Sequence, residues 1–150
     1  MGIFYSKQTI PKNLHVKNVK LFIPPITKGR VIKCYDGDTI TIAAYLPFRK
    51  SPLYKFHVRI VGIDCPEIRS SNANEKKVAV IARDLLAEKI MDSIVELKNI
   101  SLDKYGRLLA DVFFKNESIG DWLLQQNLAV SYDGCKKHPP EDWLNYYYHN

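Results

Sequence analysis

The chain has 150 residues, 46% of them apolar, enough for one buried core and short for two. Cys34, Cys65 and Cys135 have neither zinc-ligand spacing nor the density of a disulfide framework, and neither a membrane-length apolar run nor a signal-peptide core is present, so a soluble, cytoplasmic, monomeric protein is expected. The net charge of +6 is lopsided: Lys7, Lys12, Lys17, Lys20, Lys28, Arg30 and Lys33 fall in residues 1–35 with no acid among them, leaving the remainder near neutral. Phosphate affinity in that remainder must come from local arrangement.

Residues 1–26 show no sustained period and are broken by Pro11, Pro24 and Pro25, so they read as an extended basic arm before one domain over 27–150. A strand is predicted from Thr27 to Tyr35, opened by Gly29. Asp36-Gly37-Asp38 then makes a turn, because Asp-Gly readily adopts the positive φ of tight hairpins. Thr39 begins the return strand, which runs to Leu46, and Pro47 to Pro52 is a basic loop carrying Arg49 and Lys50. Next, Tyr54, Phe56, Val58 and Ile60 alternate with Lys55, His57 and Arg59, the period of a half-buried strand, so Arg59 lies opposite the apolar set. Pro66 disfavours helix at Cys65 and stiffens the corner that holds Asp64 and Glu67.

A helix should start at Asn72 or Asn74, bury Val78, Ile81, Leu85, Leu86 and Ile90, and stop near Met91. Residues 94–97 read as a short strand, 103–107 as a turn and 108–114 as another strand. Ser118 caps a second helix ending near Asn127, and residues 141–148 make one or two helical turns. Three strands, a helix, two strands and a helix fit a mainly β (α+β) fold: a small closed five-stranded barrel dressed with two or three helices.

Three turns carry unusual polar sets: Asp36-Gly37-Asp38-Thr39, Asp64-Cys65-Pro66-Glu67 and Asp103-Lys104-Tyr105-Gly106-Arg107. Each alone is an ordinary solvated turn. Together they are complementary. Asp38 and Asp64 offer hard anionic oxygens to a hard cation, Arg59 and Arg107 offer planar forks to phosphate oxygens, and Glu67 is left to handle the proton of an attacking water. Histidine chemistry is not indicated, since His15, His57, His138 and His149 form no pair with ligand spacing.

On these motifs, standing in order between Thr27 and Tyr132, the chain resembles the staphylococcal nuclease (thermonuclease) family. The resemblance implies an OB-fold-type barrel and calcium-dependent endonucleolytic hydrolysis of DNA and RNA. It implies that Asp38, Asp64 and the backbone carbonyl of Cys65 hold Ca²⁺, that Arg59 and Arg107 bind the scissile phosphate, and that Glu67 acts on the water. Lys104, Tyr105 and Tyr132 match positions that contact the nucleotide. The competing reading is a catalytically silent nucleic-acid or protein-binding barrel of the same fold. It should lack one of Asp38, Arg59, Asp64, Glu67 and Arg107, and all five are present. The loop from Pro47 to Pro52, the curtailed C-terminal helix and residues 1–26 depart from the family pattern.

The arm carries a second motif. Met1 to Ser6 matches the N-myristoylation pattern, with Gly2 exposed after removal of methionine and Ser6 in place. One acyl chain binds membranes marginally, and each basic residue near an anionic leaflet adds about 1 kcal/mol. An anchor at Gly2 on an anionic membrane surface is therefore expected; the alternative is a polyelectrolyte that tracks nucleic-acid phosphates.

Overall fold

The computed structural model describes residues 8–150, so the acylation motif at Gly2 lies outside the described residues. In chain order the strands are β1 (Lys28–Cys34), β2 (Thr39–Tyr45), β3 (Leu53–Ile60), β4 (Ile63–Asp64), β5 (Ile94–Leu102), β6 (Leu108–Phe114), β7 (Glu117–Ser118) and β8 (Val130–Ser131). The first three form an antiparallel meander, β5 pairs with β1, and β6 pairs with β5. A parallel pairing of β3 with β6, Val58 to Leu108 and Ile60 to Ala110, closes these five strands into a barrel. Closure removes the unpaired edges an open sheet would expose.

Alternation decides which side chains fill the barrel. Val31, Ile40, Ile42, Val58, Ile60, Val95, Leu108 and Ala110 point inward and are buried. Each buried Ile, Leu or Val contributes about 1.5–3 kcal/mol. α1 (Ala73–Ile90) packs Val78, Ala82, Leu86 and Ile90 onto this core. Its first turn is closed by the Asn72 side chain, which accepts from the Glu75 amide at 3.0 Å. α2 (Ile119–Gln125) is capped in the same way by Ser118, and α3 (Trp143–His149) by Asp142.

Two expectations are revised. The strand at residues 94–97 continues to Leu102, because a bulge between Lys98 and Ser101, with Asn99 at φ 55°, breaks the alternation while pairing resumes at Ser101 and Leu102. Gly37 is not at positive φ. A Cβ there would come within 2.8 Å of the Cys65 thiol and 3.1 Å of the Ala82 side chain. Glycine is required for close packing, so the Asp36–Asp38 turn is pressed onto both the Cys65 corner and α1. Gly106, by contrast, does supply the left-handed φ of 80° that its turn needs.

Candidate active site at the barrel rim

One rim of the barrel gathers the polar turns. Thr39 lies across from Arg59 in the β2–β3 register, and the Ile60 amide donates to the Asp38 carbonyl at 2.8 Å, which brings Asp38 beside the end of β3. The parallel β3–β6 pairing sets Arg59 opposite Leu109, two residues beyond Arg107. The short β4–β8 ladder pairs Asp64 with Val130, and the Tyr132 amide donates to the Gly62 carbonyl at 3.0 Å. Asp38, Arg59, Asp64, Glu67 and Arg107 accordingly line one cavity of about 310 Å³.

Arg59 is the hub. Its Nη2 lies 3.4 Å from Asp38 Oδ2 and 3.5 Å from Asp64 Oδ1, and its Nη1 donates to the carbonyls of Ile60 and Ile63 at 3.1 and 3.2 Å. The guanidinium also stands 5.4 Å over the Tyr132 ring. Asp38 Oδ2 accepts from the Cys65 amide at 3.1 Å, tying the first acidic turn to the second. Arg107 is held differently: its Nε donates to Asp103 Oδ2 at 2.6 Å, while Asp103 Oδ1 accepts from the amides of Tyr105 and Arg107. Desolvation favours the neutral Asp103 acid, but these bonds outweigh it and hold the carboxyl below its usual range.

The carboxylates carry the site's tension. Burial, then the charge of Asp38, pushes Asp36 up to about 7. Burial also raises Asp64, against the ammonium of Lys137. Asp64 Oδ1 lies 3.1 Å from Lys137 Nζ yet is buried without a well-directed hydrogen bond, so its partners are charges rather than donors in line. Asp38 and Asp64, two buried carboxylates on one cavity, offer the hard oxygen donors that a dication such as Ca²⁺ takes. Cys65 is 2% exposed, and burial followed by the neighbouring carboxylates pushes its thiol well up, which keeps it protonated and unsuited to a hard cation. Among the described residues no set of three or more His, Cys, Asp and Glu side chains is gathered as metal ligands.

A second cavity, of about 650 Å³, adjoins the first and shares Arg59 and Arg107 with it; Lys104, Tyr105 and Tyr132 line its walls. Tyr105 is 74% exposed, with Lys104 Nζ 5.1 Å and the Arg107 guanidinium 5.9 Å from its ring centroid. Asp38, Arg59, Asp64, Glu67, Lys104, Tyr105, Arg107 and Tyr132 thus all lie on one of two contiguous cavities, while Cys65 is buried beneath the rim.

The sequence reading missed Lys137. Its Nζ stands 3.1 Å from both Asp64 Oδ1 and Glu67 Oε1, and these two carboxylates outweigh desolvation and raise its pKa. Arg69 and Tyr35 also line the acidic cavity. Lys137 sits in an irregular segment, where no period reveals which way a side chain turns.

A closed barrel carries at its rim the buried carboxylates of Asp38 and Asp64 and the guanidinium groups of Arg59 and Arg107 on one cavity. A match to the staphylococcal nuclease homologue family covers residues 57–147. The chain belongs to the staphylococcal nuclease family. It is 33% identical over 152 residues to a Schizosaccharomyces pombe protein named "Probable endonuclease", covering 86% of this chain and 66% of that one. It is 26% identical over 129 residues to a Paracoccidioides lutzii "Probable endonuclease LCL3", covering 70% and 37%. It is 24% identical over 111 residues to "Endonuclease Htp3" of Saprolegnia parasitica, covering 68% and 50%. The chain therefore spans between about a third and two thirds of these relatives' lengths. The family match begins at His57, so Asp38 lies outside it and joins the site through strand register.

Proposed function

We propose that this chain is a calcium-dependent endonuclease that hydrolyses phosphodiester bonds of DNA, RNA or both. The observation that carries this reading is the single cavity lined by Asp38, Asp64, Glu67, Arg59 and Arg107. When bound, calcium would supply Lewis acidity and acidify its water. Asp38, Asp64 and the Cys65 carbonyl are its proposed ligands. Hydrolysis adds negative charge to the non-bridging and leaving oxygens of a phosphate that is already anionic. Arg59, whose Nη1 is fixed by two carbonyls before substrate arrives, turns its remaining N–H groups to that charge at little reorganisation cost. Arg107 supplies a planar fork. Glu67, whose carboxyl is largely exposed at the mouth of the cavity, accepts the proton of the attacking water. Lys104, Tyr105 and Tyr132 hold the adjoining nucleotide. Lys137 is a tethered cation that neutralises Asp64 and Glu67 and would compete with calcium for them.

The test is digestion of single- and double-stranded DNA and RNA in calcium and in chelator, with calorimetric calcium titration of wild type and Lys137→Met. Expected are cleavage in calcium alone and tighter calcium binding without the competing ammonium. Full turnover in chelator with magnesium would defeat the calcium assignment, and weaker binding by Lys137→Met would defeat the competition.

The arm over residues 1–26 is proposed separately as a membrane-surface segment of an otherwise independent domain. Ile10, Val16, Leu21 and Phe22 are all at least two-thirds exposed and lie among Lys12, Lys17 and Lys20, a pattern suited to an anionic bilayer. Failure of the full chain to sediment with anionic vesicles would remove this role.

A further inference from the structure

A third cavity, of about 470 Å³, opens on the outer face of β1, β2 and β3 and shares Tyr35, Thr39 and Arg107 with the acidic cavity. The strand register explains its contents. Lys33 lies opposite Thr41, and Thr41 opposite His57, so one row of the sheet presents these three side chains together. The Thr41 hydroxyl and His57 Nδ1 are 3.1 Å apart, which fixes the imidazole. A bulge inserts Ile32 between the Val31 and Lys33 pairings and turns Ile32 and Lys33 outward together. Along β3, Lys55, His57 and Arg59 recur every second residue, spaced about 6.7 Å apart on the same outward face. Tyr35 is 37% exposed at the junction with the acidic cavity, and Lys33 Nζ lies 6.0 Å from its ring centroid. None of the described residues lining this cavity is acidic.

We infer that this face is a second polynucleotide subsite, joined to the acidic cavity at Tyr35 and Thr39 rather than at Tyr105 and Tyr132, which takes the continuing backbone and bases of a single strand. This rests on the nucleolytic reading above. The carrying observation is contiguity: the acidic cavity shares Arg59 and Arg107 with the Tyr105–Tyr132 cavity and shares Tyr35, Thr39 and Arg107 with the outer one, whose lining holds no carboxylate. Lys33 and Lys55 bind flanking phosphates, and Tyr35 offers a ring face to an unpaired base, the combination of basic groove and stacking platform that suits single strands. A strand threaded through all three cavities has its cleaved bond in the interior of the polymer.

Fluorescence anisotropy in chelator, with labelled single strands of about 4 and about 12 nucleotides, tests the subsite without cleavage. Wild type should bind the longer strand about tenfold or more tightly than the shorter. Lys33→Glu/Lys55→Glu should erase that gain and flatten the salt slope by about 1.4, two contacts at about 0.7 each. Tyr35→Ala should reduce the gain while keeping the slope. Lys76→Glu/Lys77→Glu, the same charge change on exposed positions of α1, should leave both as in wild type. Identical behaviour of the two lysine pairs would overturn the subsite, as would an equal response with duplex overturn its single-strand character. Cleavage in calcium by wild type is scored alongside. Cleavage with no difference between the pairs sinks the subsite alone, whereas a lost length gain without any cleavage sinks the nuclease reading and keeps the subsite.

Discussion

The two arginines at the rim are mounted in opposite ways. Arg59 belongs to a barrel strand, has a side chain only 11% exposed, and is fixed by two carbonyls and two carboxylates. Arg107 ends a turn, is 32% exposed, and is held by the single side chain of Asp103. One guanidinium is part of the fold; the other is lent to the site by a loop. The same ion-pairing chemistry therefore means stability in one place and positioning in the other.

Catalysis should not distinguish them. Arg59→Lys and Arg107→Lys each keep the charge and lose the fork, and each should lower kcat about 10³-fold or more, measured on a short oligonucleotide in saturating calcium. A near wild-type rate in either variant would remove that residue from the phosphate site.

Stability should separate the pair. Arg59→Met leaves Asp38 and Asp64 buried with less compensation, so it should cost about 3 kcal/mol in calcium-free urea unfolding. Arg107→Met removes a partly exposed ion pair and should cost about 1 kcal/mol or less. Equal losses would show that the difference in mounting has no energetic counterpart.

The smallest effect sharpens the loop side. Asp103→Asn should cost about 1 kcal/mol at neutral pH, because an amide oxygen accepts these bonds more weakly than a carboxylate. The folded protein holds Asp103 below the usual 3.8, so this contribution is fully present above about pH 4 and fades as pH falls through the depressed value. The gap between wild type and Asp103→Asn in urea midpoint should therefore shrink on acidification. A gap that widens instead would contradict the assigned direction.

Much of this contrast is legible in the sequence. The alternation of Tyr54 to Ile60 put Arg59 on the polar face of a strand, and the Asp-Lys-Tyr-Gly-Arg turn put Arg107 on a loop. Asn72 and Ser118 announced their helices because a cap is a local bond between near neighbours. What stayed hidden depends on distant contacts. Lys137 meets Asp64 and Glu67 across an aperiodic segment, and the requirement for Gly37 comes from Cys65 and Ala82, not from its own φ. The length of β5 was hidden by a bulge, which breaks the alternation on which strand recognition depends.

The parallel seam between β3 and β6 has a consequence for the order of events during synthesis. Asp38, Arg59, Asp64 and Glu67 emerge from the ribosome before Arg107, and the seam that aligns the two arginines joins strands distant in the chain. Contacts of such separation form late, since the intervening chain must first be ordered. Each nascent molecule consequently passes through a stage with most of its acidic and basic groups translated and no assembled phosphate site. Recovery of the proposed nuclease activity after dilution from denaturant should then lag behind the formation of α1, whose cap and apolar stripe are local.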